Sequence, residues 1–157
     1  MRLRRAFWAL ILGVLAAGPL WAAGCRPDSV DLRGGWGQAH FTVELADTPQ
    51  KQAKGLMFRK KLPASAGMLF VYDTPRPAKF WMENTLIPLD MLFVDIRGQV
   101  TRIKHNARPL DKTVIEGGDQ VALILEINGG LARALGISVG SELRHPALDP
   151  QIALWPC

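Results

Sequence analysis

Three acidic side chains interrupt apolar stretches of the sequence and are the first candidates for chemistry: Glu83, Asp90 and Glu126. A carboxyl group is costly to bury unless it is hydrogen-bonded or paired with a positive charge, which Lys79 or Arg102 could supply. A buried carboxyl group can also act as a general acid or base, and the protein would then be an enzyme of the hydrolase type. The sequence allows this functional role without requiring it.

A structural role explains the same residues. Asp90 can cap the turn at Pro88 through backbone N–H groups, and Glu126 can hold the glycine turn at residues 129–130. Buried polar groups in native proteins are nearly always satisfied in this way. The structural and the functional interpretation both remain open at the level of the sequence.

The functional interpretation places two of these carboxyl groups in one cleft beside an aromatic side chain. Clefts that combine an aromatic wall with a few polar groups are common ligand sites. Trp81 supplies the aromatic ring, and we expect it to be anchored in the core or in the floor of the cleft rather than freely solvated. The candidate ligand-binding residues are Trp81, Glu83, Asn84, Thr85, Asp90 and Glu126.

No established catalytic, phosphate-binding or metal-binding motif is present in the sequence. The chain lacks Gly-x-Ser-x-Gly, His-Glu-x-x-His, a Gly-rich phosphate loop and Cys-x-x-Cys. Its three histidines, His40, His105 and His145, are far apart and show no metal-ligand spacing. We therefore expect no metal site and no cofactor.

An apolar and aromatic stretch from Phe80 to Asp95 carries a resemblance to a known family. Three shorter motifs accompany it: Gly55-Leu56-Met57, Gly67-Met68-Leu69-Phe70 and Leu125-Glu126-Ile127. With these motifs the chain resembles, from about Phe41 to Arg144, the bacterial and archaeal family catalogued as domain of unknown function number 192. The biochemical role of that family is not established, so the resemblance implies no substrate and no catalytic residue.

The first 24 residues have the three parts of a secretory signal peptide. Residues 1–5 are positively charged, residues 6–15 are apolar, and small residues precede a cleavage point after Gly24. The alternative is an uncleaved anchor, although the apolar part is short for a span of about 20 residues. We therefore predict an exported, periplasmic protein that contacts the membrane only if this segment is uncleaved or Cys25 is lipidated.

The charge of the exported chain argues against nucleic-acid binding. The whole sequence has 19 Lys and Arg and 14 Asp and Glu, and three arginines precede Cys25. The exported part therefore has 16 basic against 14 acidic residues, a net charge of only +2. These basic residues are scattered, whereas a nucleic-acid site needs a basic stripe or patch.

The two cysteines stand at the two ends of the exported chain. An oxidising compartment and an even cysteine count favour a disulfide between Cys25 and Cys157. The alternative is a lipoprotein, because Ala22-Ala23-Gly24-Cys25 resembles a lipobox with Ala in place of the usual Leu. If flexible tails carry the bridge, it should contribute only about 1–2 kcal/mol, because tails that fray early constrain little of the cooperative transition.

Apolar periodicity divides the exported chain into three parts. They are an extended leader (25–37), a single β-rich domain (38–145) and a C-terminal tail (146–157). The leader, rich in glycine, is expected to lie on the surface. The domain begins with an alternating strand at residues 38–46. Thr48 and Pro49 then start a helix that is predicted to continue to Phe58 with Gly55 inside it.

The rest of the domain is predicted to consist mostly of short strands. The expected strands are 67–72, 79–83, 89–96, 100–104, 121–127 and 140–145, with a proline turn at 73–77. A second short helix is predicted over residues 131–135 and ends at Gly136. This pattern indicates an α+β or mainly-β class, as a small compact β-barrel-like domain, because closure removes exposed strand edges.

These features favour a non-enzymatic function, as a periplasmic binding or accessory module for a small polar ligand or a protein partner. The alternatives are a hydrolase that uses Glu83, Asp90 or Glu126, and a purely structural protein of the cell envelope. Carboxyl groups that converge in an open cleft would favour the enzyme. One aromatic-lined cleft would favour binding, and buried carboxyl groups that are fully satisfied would favour the structural role.

Overall fold

The computed structural model of the protein describes residues 24–157. The elements follow in the order β1 (Ser29–Gly34), β2 (Gly37–Ala46), α1 (Pro49–Lys54), β3 (Ala66–Phe80), β4 (Leu89–Val94), β5 (Val100–Ala107), β6 (Ile115–Asn128), α2 (Leu131–Leu135) and β7 (Glu142–Arg144). The predicted signal peptide lies outside the described residues except for Gly24. Within residues 24–157 no helix has the length and apolar character needed to cross a membrane.

The seven strands form one sheet in the order β5-β4-β6-β3-β2-β1-β7. Neighbouring strands are antiparallel except for β2 and β3, which run parallel on either side of the α1 connection. The sheet curls into a half-barrel. Its two edges approach each other where Gln99 pairs with Glu142 and where the Val100 N–H donates to the Ser141 carbonyl at 2.8 Å. The predicted mainly-β fold with two short helices is confirmed.

The two faces of the sheet bury two separate apolar clusters. Successive side chains of a strand point to opposite faces, and β4 shows the division clearly. Leu92 and Val94 belong to the cluster on the first face, which we call the closed face. Met91 and Phe93 belong to the cluster on the second face, which we call the cleft face.

The beginning of the chain is part of the sheet and does not form the predicted surface leader. Residues 29–34 form β1, which pairs with β2 on one side and with β7 on the other. Val30 and Leu32 of this strand are buried in the closed face. The glycines at residues 34, 35 and 37 border the β1–β2 hairpin, so their number reflects a turn within the fold and not a loose segment.

The C-terminal tail is also packed against the domain. Leu148 is buried in the closed face. The Trp155 ring lies 4.4 Å from the guanidinium group of Arg33 and 4.5 Å from that of Arg144. The predicted disulfide is present and joins Cys25 to Cys157, whose Cα atoms are 5.5 Å apart. The C-terminal tail therefore contributes Leu148 to the closed face, and its last residues are held by Trp155 and by the disulfide.

Two further elements differ from the prediction. The helix α1 ends at Lys54 rather than at Phe58, because Gly55 adopts a φ of 49° and stands at its C-terminus, not inside it. The predicted proline turn at 73–77 and the strand after it belong to one continuous strand, β3. Register shifts between β3 and β6 accommodate the prolines, as β-bulges do elsewhere.

Candidate functional site

Asp90 is a fully buried and fully satisfied carboxyl group. Its Oδ1 atom accepts the backbone N–H groups of Asn106 at 2.6 Å and Gly130 at 2.9 Å. Its Oδ2 atom accepts the N–H group of Ala132 at 2.7 Å. These bonds fix the glycine turn before α2, a role that the sequence had suggested for Glu126. The prediction that Asp90 caps the Pro88 turn is wrong, because its partners lie at other positions.

Glu83 and Asn84 lie in the loop that follows β3, not on the strand predicted for residues 79–83. The Glu83 Oε1 atom is 2.8 Å from the Nζ atom of Lys112. Asn84 is exposed, and its Nδ2 atom lies 4.0 Å from the Sδ atom of Met57. Neither Glu83 nor Asn84 borders the cleft described below.

Glu126 differs from both of these carboxyl groups. Its residue is only 4% exposed, and its carboxyl group has no hydrogen-bond or ion-pair partner among residues 24–157. The predicted partners are engaged elsewhere: the Nζ atom of Lys79 is 3.5 Å from Glu116, and Arg102 donates to the Glu116 carbonyl at 2.9 Å. Burial raises the pKa of Glu126 to about 8, and no neighbouring cation lowers it.

A cleft of about 290 Å³ opens on the cleft face, between α1, β3 and the loop that follows β3. Its deep part is formed by buried residues: Leu56, Phe70, Thr85 and Glu126. Trp81 stands at its mouth with half of its surface exposed. The other lining residues are Gln52, Ala53, Lys54, Gly55, Met57, Tyr72, Lys79 and Phe80.

The helix α1 forms one wall of this cleft and is held in place by its N-cap and by the side chain of Gln52. Thr48 is its N-cap, with a side chain that accepts a backbone N–H group of the first turn. The Nε2 atom of Gln52 donates to the Ala46 carbonyl at 3.3 Å and to the Val71 carbonyl at 2.9 Å. Since these two carbonyl groups belong to β2 and β3, one amide side chain ties the helix to two strands.

The opposite wall is a loop held by its neighbours through backbone hydrogen bonds. The Phe58 N–H group donates to the Asn84 carbonyl at 2.8 Å, and the Leu110 N–H group donates to the Thr85 carbonyl at 3.1 Å. Phe58 and Leu110 both have a φ of 63° and are 64% and 58% exposed. Asn84, within the loop itself, also has a positive φ, of 56°. Positive φ values in non-glycine residues are held only by surrounding structure, so the neighbouring segments hold the loop in place.

The surroundings of Glu126 are aromatic. The Phe70 and Phe80 rings pack edge to face with centroids 5.1 Å apart. Burial raises the pKa of the Tyr72 hydroxyl group. The guanidinium group of Arg76, which lies 5.1 Å from the Tyr72 ring, opposes this rise, and the charge of Glu126 adds to it. Tyr72 and Glu126 are therefore electrostatic neighbours in the same cleft.

The structure brings together half of the residues that the sequence proposed as ligand-binding. Trp81, Thr85 and Glu126 line one cleft, while Glu83, Asn84 and Asp90 do not. Trp81 is not in the core or the cleft floor but at the exposed mouth. The sequence analysis missed Phe70 and Tyr72, which alternation along β3 places on one face and pairing with β6 places near Glu126.

No metal site accompanies the cleft within the described residues. Across residues 24–157, no three His, Cys, Asp or Glu side chains are close enough to hold an ion together. His40 contacts Asp31 at 2.7 Å, and His145 contacts the Pro27 carbonyl at 3.0 Å. These histidines thus take part in local contacts of the fold.

The fold and the site define a class of protein, a β half-barrel with a small aromatic-lined cleft that holds a carboxyl group without a partner in the described chain. The chain belongs to the family DUF192, described as "Uncharacterized ACR", whose model matches residues 31–145.

Two solved structures are similar to this chain. A protein of unknown function from Novosphingobium aromaticivorans DSM 12444 is 45% identical, with a TM-score of 0.72, over 73% of this chain and 82% of that chain. A "putative transcription regulator" from Sinorhizobium meliloti 1021 is 37% identical, with a TM-score of 0.75, over 80% of this chain and 98% of that chain. No curated protein matches the sequence.

Proposed function

We propose that the protein is an exported binding module whose cleft holds a small polar ligand. The observation that carries this proposal is the carboxyl group of Glu126, which is buried beside an open cleft without a partner in the described chain. Burial of a carboxyl group without a partner costs free energy, and the oxygen atoms of Glu126 are not among the fully buried polar atoms of the described chain, so a ligand in the cleft can reach them. A ligand that bonds to this carboxyl group would offset that cost.

The arrangement of the carboxyl groups supports binding over hydrolysis. Glu83 is paired with Lys112, and Asp90 is saturated by backbone N–H groups on the closed face. Within residues 24–157, Glu126 therefore has no second carboxyl group beside it in the cleft to share acid and base roles, as in two-carboxylate hydrolysis. One aromatic-lined cleft is the arrangement that favours a binding module. Its volume is at the lower end of the roughly 300–1,000 Å³ usual for ligand pockets, which indicates a small ligand.

A periplasmic location is part of the same proposal. The disulfide between the two ends of the described chain is compatible with an oxidising, exported location. The basic, apolar and small-residue order of residues 1–24 supports export through a cleaved signal. N-terminal sequencing of the exported protein tests it, since a chain that starts at Met1 in the membrane fraction would contradict cleavage.

The charge distribution does not support nucleic acid as the partner. Seven Lys or Arg side chains pair with acidic side chains within the described part of the chain. Pairing of this kind reduces the positive potential that attracts a phosphate backbone. The description of the Sinorhizobium meliloti protein is therefore not extended to this chain.

A screen with a cleft-blocking variant tests the binding function. The purified protein is screened by thermal shift against small polar compounds of positive, negative and zero charge, because selective binding to the folded state raises its melting temperature. Ala53→Trp fills the mouth from the exposed side of α1, and Ala134→Trp makes the same change on α2, away from the cleft. We expect hits that are lost in Ala53→Trp and kept in Ala134→Trp. Hits that survive both changes, or no hit at all, would contradict a ligand site in this cleft.

A further inference from the structure

We propose that the ligand of this cleft is a small alkylammonium cation, with the carboxylate of Glu126 as its counter-ion. The inference rests on the proposed binding function and names the chemical class of the ligand. Two features of the cleft carry it: an acidic group that no cation of the described chain neutralises, and aromatic rings around that group.

The first feature is the missing counter-ion. Two lysines line the cleft, Lys54 and Lys79, and both are solvent-exposed at its mouth. The Lys79 ammonium group faces Glu116 at 3.5 Å. Burial alone raises the pKa of Glu126, without an opposing contribution from either lysine. The deep end of the cleft therefore has a carboxyl group that no cation of residues 24–157 neutralises, so its positive partner would come from a ligand.

The second feature is the aromatic lining. Phe70, Tyr72, Phe80 and Trp81 all border the cleft that contains Glu126. The negative face of an aromatic ring attracts a cation, and the attraction grows to about 2 kcal/mol or more when the site is desolvated. The Arg76 guanidinium, 5.1 Å from the Tyr72 ring, shows that this ring already attracts one cation. The carbon atoms of an alkylated ammonium ion can pack against the aromatic rings, and its positive charge can pair with the carboxylate.

Two other ligand classes fit less well. A hard metal cation needs several oxygen ligands, about six for Mg²⁺ or Ca²⁺. Among the described residues, Glu126 is the only one with a carboxyl side chain that lines the cleft. A neutral ligand would use protonated Glu126 as a hydrogen-bond donor to an acceptor atom. The face of an aromatic ring attracts a positive charge and repels an electron-rich acceptor, so a cleft lined by aromatic rings favours the cation.

Binding of the cation is coupled to the loss of one proton. In the free protein at neutral pH the carboxyl group of Glu126 holds its proton, because burial raises its pKa to about 8. The cation replaces that proton, which leaves to solvent. Charged or titratable groups near Glu126 in the cleft are Tyr72, Lys54 and Lys79, and Arg76 lies on Tyr72. None of these lowers the pKa of Glu126, so we expect the pH dependence to follow this carboxyl group.

The test compares cations with neutral molecules of the same shape. Choline and n-butylammonium are titrated into the purified protein by calorimetry at pH 6 and pH 8.5, beside 3,3-dimethylbutan-1-ol and butan-1-ol. We expect both cations to bind more tightly than their neutral counterparts. Their affinity should rise up to about tenfold per pH unit below the pKa of Glu126, because one proton is released.

Two variants show whether Glu126 is the group responsible. Glu126→Gln keeps the shape and removes the charge, so we expect it to lose cation binding at both pH values. Asp119→Asn makes the same kind of change at an exposed position of the same strand, away from the cleft, and should bind like the parent protein.

The failure of this inference is distinguishable from the failure of the binding function. The neutral alcohols could bind as tightly as the cations, both to the parent protein and to Glu126→Gln. That result would contradict the proposal that the ligand is a cation and would still support the binding function. If neither choline nor n-butylammonium binds, the proposal that the ligand is an alkylammonium cation is also contradicted. The Ala53→Trp screen decides separately whether any small ligand occupies the cleft.

Discussion

Asp90 and Glu126 are buried carboxyl groups on neighbouring strands, and their surroundings are opposite. In the β4–β6 pair, Asp90 stands across from Ile127 and Met91 stands across from Glu126. A shift of one position along a strand reverses the face to which a side chain points. Asp90 therefore enters the closed face, where it accepts three backbone N–H groups. Glu126 enters the cleft face, where it accepts none from the described chain.

The two faces differ in what covers them. The closed face is covered by β1, β7, α2 and the C-terminal tail, and both chain ends are tied together beside it. The cleft face is covered by the six-residue helix α1 and by loops, which leave an opening over Glu126. A complete cover makes Asp90 part of the structure, whereas an incomplete cover makes Glu126 available to a ligand.

The largest effect is expected from removal of the Asp90 carboxyl group. Asp90→Ala leaves three N–H groups without an acceptor, one of them buried and two partly buried, at about 1–3 kcal/mol each. We expect a loss on the order of 5 kcal/mol in the free energy of unfolding, measured by urea denaturation. Asp119→Ala, an exposed control on β6, should change it by less than about 0.5 kcal/mol.

If Asp90→Ala does not fold, Asp90→Asn allows the same comparison with a smaller loss of stability. The amide keeps one oxygen acceptor and loses the other, so we expect roughly half of the loss. An Asp90→Asn protein with the stability of the parent would show that the three hydrogen bonds do not hold the closed face together.

The next largest effect concerns the pH dependence caused by Glu126. Its pKa is raised from 4.5 to about 8 in the folded protein, so the folded state holds a proton that the unfolded state has lost between these values. The stabilisation is therefore complete below about pH 4.5 and is lost as the pH rises towards 8. At about 1.4 kcal/mol per pH unit, the loss between pH 5 and pH 8 is about 4 kcal/mol.

Glu126→Gln should remove this dependence, because the amide does not titrate. We expect the difference in unfolding free energy between parent and variant to change by about 4 kcal/mol between pH 5 and pH 8. Urea denaturation at pH 5, 6.5 and 8 measures it, with Asp119→Asn at an exposed position of the same strand as the control. Parallel stability profiles for parent and Glu126→Gln would mean that the carboxyl group is solvated and not buried.

The smallest of the three effects is expected from loss of the disulfide. The bridge spans 132 positions, for which chain entropy alone allows about 5 kcal/mol. Disulfides typically contribute about 2–4 kcal/mol, and we expect about 3 kcal/mol from the paired change of Cys25 and Cys157 to Ser. This exceeds the 1–2 kcal/mol expected for loose tails, because β1 and Trp155 are packed.

Intact-mass measurement with alkylation accompanies the stability comparison. Two thiols that alkylate only after reduction are expected from the bridge. A diacylglycerol mass on Cys25, or a Cys157 that alkylates without reductant, would contradict it. A double serine variant as stable as the parent would show that the chain ends are not part of the cooperative unit.

Local patterns in the sequence predicted much of the fold. The alternation in residues 38–46 became β2, the Thr48–Pro49 start became α1, and the glycine-containing turn at 97–99 joins β4 to β5. Such signals depend on residues close in sequence, which is why they could be read without a structure. The sequence analysis missed β1 because Pro27 before it and the glycines at its end and after it are typical of loops, and because one of its pairing partners, β7, lies at the far end of the chain.

Half of the proposed site residues were found for a related reason. Glu126 was conspicuous as a charge in a buried strand, and Trp81 and Thr85 lie in the stretch that carries the family resemblance. Asp90 was equally conspicuous, but its role depends on which face of β4 it occupies. Phe70 and Tyr72 gave no signal, because an aromatic residue in a strand is ordinarily part of the core.

The sequence by itself determined the mainly-β class, the family, the two cysteines available for a bridge and the presence of buried carboxyl groups. Composition, periodicity and motif order are properties of the chain, and they do not depend on how distant segments meet. Only the tertiary structure decided that Asp90 is satisfied and that Glu126 is not. The physical reason is that a buried charge is stabilised or left unpaired by groups from other elements, and their positions follow from strand order and register.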